Sequence, residues 1–272
     1  MENTRKRHAF TDIGNDARRQ YIDTQSVFSA WEDAVQEAAE VRGGMYWKRQ
    51  GKSDYLIRTS VRNTQKSLGV RSPETEAIHA KFTQRKADAE GRVSDLQAQL
   101  VRQQRMNRAL HVGRAPQLLV DILAEVARSG VAEHFTVIGT HALYAYEAAA
   151  GVRIESPDAL AKGFDLRRNK PRRHRTSTRR DVIGMTEDEA DFWAVYARRA
   201  DVLLNAPAFS SLIISPSGHM ARMRTVAPAT FMEFKRWMAV QADRDRLKAP
   251  RDVLQAELVE DLVAEYLPQL VS

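Results

Sequence analysis

The chain has no cysteine among its 272 residues. That absence excludes a disulfide framework, cysteine zinc sites, iron–sulfur clusters and a cysteine nucleophile, and leaves metal chemistry to oxygen and imidazole ligands. Long apolar runs are also missing, since no stretch reaches the roughly eighteen residues that a membrane-spanning helix needs. The first residues, Met1 to His8, are basic and lead into polar sequence instead of an apolar stretch of signal-peptide length. A cytoplasmic protein without a membrane partner is expected. The seven histidines show no i, i+4 pair and no accompanying acid in a zinc arrangement. Gly-x-Ser-x-Gly, Walker and dinucleotide fingerprints are absent too, which argues against hydrolase, P-loop and Rossmann assignments.

What is present is a chain 43% hydrophobic and 28% charged, long enough for one or two domains with buried cores. It has 42 Lys and Arg against 35 Asp and Glu, with a pI near 9.7. That excess is compatible with a polyanionic partner, whose counterions clustered cations release.

Periodicity divides the chain near residue 112. From Asp16 to Val41, Tyr21, Phe28, Trp31, Val35, Ala38 and Val41 recur at helical steps. Met45–Lys48 and Tyr55–Arg58 read as strands around a turn at Arg49–Asp54, a β-hairpin. Ser72, Pro73, Glu74 and Glu76 open a second helix, capped and charged to suit its positive end, with a stripe running to about residue 108. Residues 1–112 are therefore expected to form a helical arm with a hairpin, and 113–272 a second module. In that module Leu118–Val126 reads as a helix, Phe135–Ile138 as a short strand, Gly139-Thr140 as a turn and His141–Ala150 as a helix. Phe164–Leu166 reads as another strand and Glu187–Arg199 as a helix. Ser211–Ser215 and Met220–Val226 read as a strand pair, and the last forty residues as two helices parted near Pro250.

Four phrases carry a family resemblance: Gly-Thr-His-Ala-Leu-Tyr-Ala-Tyr-Glu-Ala-Ala-Ala-Gly at 139–151, Gly-Gly-Met-Tyr-Trp-Lys at 43–48, Ser-Leu-Gly-Val-Arg-Ser-Pro-Glu-Thr-Glu at 67–76 and Arg-Asp-Val-Leu-Gln-Ala at 251–256. With them the chain resembles the nucleotidyltransferase superfamily, the fold of DNA polymerase beta, and within it a bacterial family with a helical N-terminal region. The resemblance implies an α+β fold, a mixed sheet flanked by helices, with the arm and hairpin attached. It implies transfer of a nucleoside monophosphate from an NTP to an acceptor that is RNA, protein or metabolite. It also implies that Gly139 and Thr140 lie near the triphosphate, that Asp165 acts in catalysis as ligand to Mg2+, and that Lys235 and Lys248 contact phosphate; His141, in the first turn of its helix, and Arg167 and Arg168, just after Asp165, are further candidate nucleotide contacts by position.

The sequence departs from the superfamily pattern at the acids. Two aspartates one residue apart are expected on one strand and a third carboxylate on its neighbour, but Gly163-Phe164-Asp165-Leu166 keeps one, and Ser211–Val226 has none. A catalytically degenerate protein that binds nucleotide or nucleic acid is the alternative. Residues 167–180 hold eight Lys or Arg and no acid, either a solvated loop or a grip for polyphosphate or nucleic acid. Tyr46, Trp47 and Tyr55 either stack on bases beside Lys48, Lys52 and Arg58 or fix the hairpin to the arm. His141 either donates to phosphate or packs. The mixed charges around Lys235, Arg244, Lys248, Arg251 and Asp252 read as surface ion pairs.

Overall fold

A computed structural model describes residues 10–156, 203, 206–242 and 244–270. Two compact units divide the chain, one of Asn15–Val112 and one of Met1–Gly14 with Gly113–Ser272.

In the first unit, α1 (Asn15–Glu40) and α2 (Pro73–Ala109) pack side by side. Along α2, the covered residues Thr75, His79, Phe82, Lys86, Ala89, Val93, Leu96, Leu100, Gln103 and Asn107 recur at alternating steps of four and three, with Gln99 and Gln104 covered beside them. A 3.5-residue period of this kind keeps one seam on the partner helix, as in a two-stranded coil. At one end the seam is polar. Gln20 Nε2 donates to Asn107 Oδ1 at 3.0 Å, Thr24 Oγ1 donates to the same oxygen at 2.8 Å, and Gln20 also reaches Gln103 Oε1 at 2.6 Å. Ser72 starts α2 through a capping box, the Thr75 amide donating to Ser72 Oγ and the Ser72 amide to Thr75 Oγ1.

Between the helices lie β2 (Gly44–Gln50), β3 (Ser53–Thr59) and β4 (Gln65–Val70), an antiparallel sheet in the order β2-β3-β4. The expected hairpin is thus present but is extended by a third strand, and its turn is shorter than Arg49–Asp54, because Arg49 pairs with Asp54 and Gln50 with Ser53. A register shift between Leu56 and Ile57 interrupts the pairing of β3 with β4.

The second unit opens with β1 (Phe10–Asp12), which pairs antiparallel with β5 (Val152–Ile154). Gly113 begins its longer part because only glycine fits there: a Cβ would lie 2.2 Å from the Ile214 carbonyl oxygen. The neighbouring Ala115 amide donates to that oxygen at 3.0 Å. α3 (Gln117–Arg128) follows, then α4 (Leu143–Ala150), the hairpin of β6 (Ala208–Ile214) and β7 (Met220–Val226), α5 (Pro228–Ala239) and α6 (Ala249–Tyr266). Phe135–Ile138 does not form the expected strand. Its Val137 makes a single parallel bridge to Thr225, while Phe135 and Ile138 remain exposed. Phe164–Leu166 and Glu187–Arg199 lie outside the described residues.

α4 is covered on most of its circumference because two cores meet on it. Leu143 and Tyr146 pack with Val226, Phe231, Leu258 and Leu262, whereas Ala145 packs with Leu119, Ile213 and Met223. The Tyr146 hydroxyl donates to the Val226 carbonyl at 2.7 Å, which satisfies a polar tip inside an aromatic cluster with Phe209 and Phe231. Buried Glu147 accepts from the Arg114 guanidinium through both carboxylate oxygens and from the Ile154 amide at 2.7 Å, and so ties α4 to β5. The fold is α+β. Among the described residues no helix is long and apolar enough to cross a membrane.

Candidate functional site

The turn before α4 is a short 3-10 segment, Gly139–Ala142, that runs directly into the helix. Gly139 has φ +76°, a conformation that L side chains rarely adopt, and nothing within 4 Å of where a Cβ would stand. Its backbone, not crowding, requires glycine, and the space above the turn is open. No side chain caps this start, whose first residue follows Ile138 in extended conformation. An uncapped helix start presents N–H groups and positive dipole potential, a setting that favours anions.

Thr140 faces inward. Its Oγ1 accepts from Gln255 Nε2 of α6 at 3.1 Å. His141 lies beside Tyr144, ring centroids 6.4 Å apart, and burial pushes its pKa down, so the imidazole is held neutral.

One turn before Gln255, Asp252 is buried on the same helix. It accepts from Lys235 Nζ of α5 at 2.8 Å and from Arg244 Nε at 2.7 Å. Lys235 is itself buried, 5.6 Å from the centre of the Phe231 ring, and burial pulls its pKa down despite the carboxylate. These charges were expected as surface ion pairs. The Lys235–Asp252–Arg244 group is instead an interior one, because Asp252, Gln255, Ala256, Val259, Leu262 and Val263 form the inward stripe of α6. Arg251 stands next to it, near enough to oppose the charge on Lys235, and its Nε is buried with no hydrogen-bond partner among the described residues.

Thr140 and Lys235, two residues singled out by sequence, are therefore brought to one face of α6 through Gln255 and Asp252, three residues apart. Lys248 is not part of this group. It sits at the entrance to α6 with its side chain exposed. Asp165, Arg167, Arg168 and the rest of the basic run 167–180 lie outside the described residues. Sequence reasoning missed Asp252, Gln255 and Arg251 as members of the site, although polar residues placed on an apolar helical stripe were a readable signal.

The described residues contain no group of three acids or histidines able to hold a metal ion. Of the buried acids, Glu147 is committed to Arg114 and Asp252 to Lys235 and Arg244. Neither fits a magnesium ligand. Arg222 and Arg224 of β7 occupy the hairpin on which a carboxylate was sought, and Arg224 donates to the Glu133 carbonyl at 2.7 Å.

A family model described as Nucleotidyltransferase matches residues 117–172 and 161–272, within the unit that resumes at Gly113. No curated protein and no solved structure matches the chain.

Proposed function

Because the chain belongs to the nucleotidyltransferase family, we propose that it transfers a nucleoside monophosphate from an NTP to an acceptor hydroxyl. The acceptor oxygen attacks the α-phosphorus, the bond from that phosphorus to the β,γ-diphosphate breaks, and pyrophosphate leaves. The observation that carries this reading is the convergence on α6 of the open Gly139-Thr140 turn, through Gln255, and of Lys235, through Asp252. Backbone amides of the turn would donate to phosphate oxygens. Lys235, with Arg251, would offset the charge that accumulates on the departing pyrophosphate, since groups fixed beforehand need no reorganisation as charge develops. The unpartnered Arg251 Nε supports an anion here, because a buried guanidinium nitrogen without an acceptor is costly.

Magnesium belongs to this proposal only through Asp165, the acid that the family resemblance implies as its ligand. His141, Arg167, Arg168 and Lys248 remain proposed nucleotide contacts, and residues 167–180 a proposed contact to nucleic acid. The absence of Asp and Glu from β6 and β7 favours one second reading, a binder that has lost the transfer reaction.

Incubating the full chain with each α-labelled NTP and with RNA or cell lysate tests both readings. Transfer predicts labelled product that Asp165→Asn and Lys235→Met abolish. Metal-independent NTP binding without product for any of the four nucleotides would leave the binder.

A further inference from the structure

The sheet of the first unit has two unlike faces. Cross-strand pairing places Trp47 opposite Leu56 and Met45 opposite Arg58 on one of them. That face is used internally: Trp47 lies 5.7 Å from the His79 ring of α2, and the Arg58 guanidinium lies 4.3 Å from the centre of the Phe82 ring. Arg58 further donates to the carbonyls of Gly44, Thr59 and Arg42. The same register places Tyr46 and Lys48 on the opposite face, together with Tyr55, which pairs with Lys48 on one side and with Val70 on the other. Tyr46, Lys48 and Val70 are exposed there, Tyr55 is half-buried, and Ile57, opposite Tyr46, is buried.

Charge sets this sheet apart. From Arg42 to Arg71 the chain carries eight Lys or Arg and a single acid, Asp54. Asp54 is taken by Arg49 and Arg71. Lys48, Lys52, Arg62 and Lys66 are exposed and have no acidic partner among the described residues. Two tyrosines on one face, diagonal across adjacent strands, lie roughly 7–8 Å apart along the backbone. An extended strand with unstacked bases can lay successive bases on rings so placed while its phosphates meet the surrounding cations.

We propose that the Tyr46–Tyr55 face of the β2-β3-β4 sheet binds single-stranded RNA, its bases on the two rings and its backbone along Lys48 and Lys52. This does not rest on the transfer reaction, and it involves neither α6 nor residues 167–180. Charge favours RNA over a protein occupant, which would have to be acidic to match Lys48 on this face and Lys52 in the turn beside it; Lys66 pairs with Arg58 and lies on the other face. Duplex nucleic acid offers phosphates but no free base faces, so the rings would add nothing to its binding.

Fluorescence anisotropy of the full chain with a labelled single-stranded oligouridylate tests the proposal, with a DNA duplex and poly-glutamate as comparison probes. Tyr46→Ala and Tyr55→Ala should each weaken oligouridylate binding about 5- to 150-fold, leaving duplex and poly-glutamate binding unchanged, and the Phe variants should retain affinity. Lys48→Ala with Lys52→Ala, two exposed substitutions that cannot unfold the sheet, should reduce the slope of log affinity against log salt by about 1.4. An unchanged slope in that pair, undiminished affinity in correctly folded tyrosine variants, or an equal loss for all three probes would overturn it. Alanine substitution within 167–180 that removes NTP transfer but spares the tyrosine effect would separate this surface from the catalytic reading.

Discussion

Asp252→Ala tests whether the group at α6 is an interior ion cluster whose members are unequal. The carboxylate is fully buried and receives charge-assisted hydrogen bonds from both Lys235 and Arg244. Without it, a nearly inaccessible ammonium and a largely covered guanidinium face each other with no anion between them. Removing one partner of a buried pair costs about 3–5 kcal/mol, and at about 2–4 °C per kcal/mol for a domain of this size the melting transition should fall by about 6–20 °C. Lys235→Met is the informative contrast. It leaves Asp252 with Arg244 and removes a cation that burial already disfavours, so its cost should stay within the roughly 1.5–3 kcal/mol of a single hydrogen bond to a charged group. Calorimetry of the full chain, following the transition that belongs to the second unit, gives both values. NTP transfer by Lys235→Met should nevertheless be lost, dissociating stability from activity. The reasoning fails if Lys235→Met destabilises as much as Asp252→Ala, since the lysine would then be a structural strut and not a charge kept for a ligand.

Gly139→Ala should cost about 1–2 kcal/mol, from the left-handed backbone alone because no atom stands in the way, and Gly139→Asn should cost less; urea midpoints for the pair check the ordering. In the coil, Asn107→Ala removes the oxygen shared by Gln20 and Thr24 and should destabilise by about 1–3 kcal/mol, whereas replacing Gln20, Thr24, Gln103 and Asn107 together by apolar residues should raise stability while loosening helix register, read as broadened amide resonances. Glu147 contributes a pH dependence of opposite sign to the usual carboxylate. Burial raises its pKa above 4.5 against the pull of Arg114, so the folded chain binds a proton that the unfolded chain has released, and stability falls as pH rises through the window from 4.5 to the folded value. Chemical denaturation across that window should therefore show wild type losing ground to Glu147→Gln with rising pH; a gain instead would refute it.

What the sequence disclosed follows from how local each signal is. The helices of the coil were readable from Tyr21, Phe28 and Trp31 and from the stripe running to about residue 108, because one buried stripe repeats for many turns and needs no knowledge of its partner. The strand β4 was not. Gln65-Lys66-Ser67-Leu68-Gly69-Val70 has two large apolar residues, and the register shift against Leu56 and Ile57 breaks the alternation that would have marked it. β1 was equally silent, since Phe10-Thr11-Asp12 becomes a strand only by meeting Val152–Ile154 some 140 residues later. Phe135–Ile138 misled in the other direction, its β-branched composition promising a strand where only Val137 finds a bonding neighbour.

The candidate site divides along the same line. Gly139 and Thr140 were nameable because a family phrase contains them, and Lys235 because the resemblance implies a phosphate-contacting lysine in its region, but their connection runs through Gln255 and through Asp252, whose charge looked like surface chemistry when read alone. Only their spacing with Ala256, Val259 and Leu262 shows that they face inward. Burial then changes their meaning: a lysine and an aspartate paired in water contribute little to stability, whereas the same pair enclosed on α6 fixes the position of the ammonium. In the proposed reaction that ammonium, beside an arginine nitrogen that no described acceptor satisfies, meets an incoming phosphate, whereas in the fold it is held by Asp252, so Lys235 is the side chain on which the proposed chemistry and the observed packing make different demands.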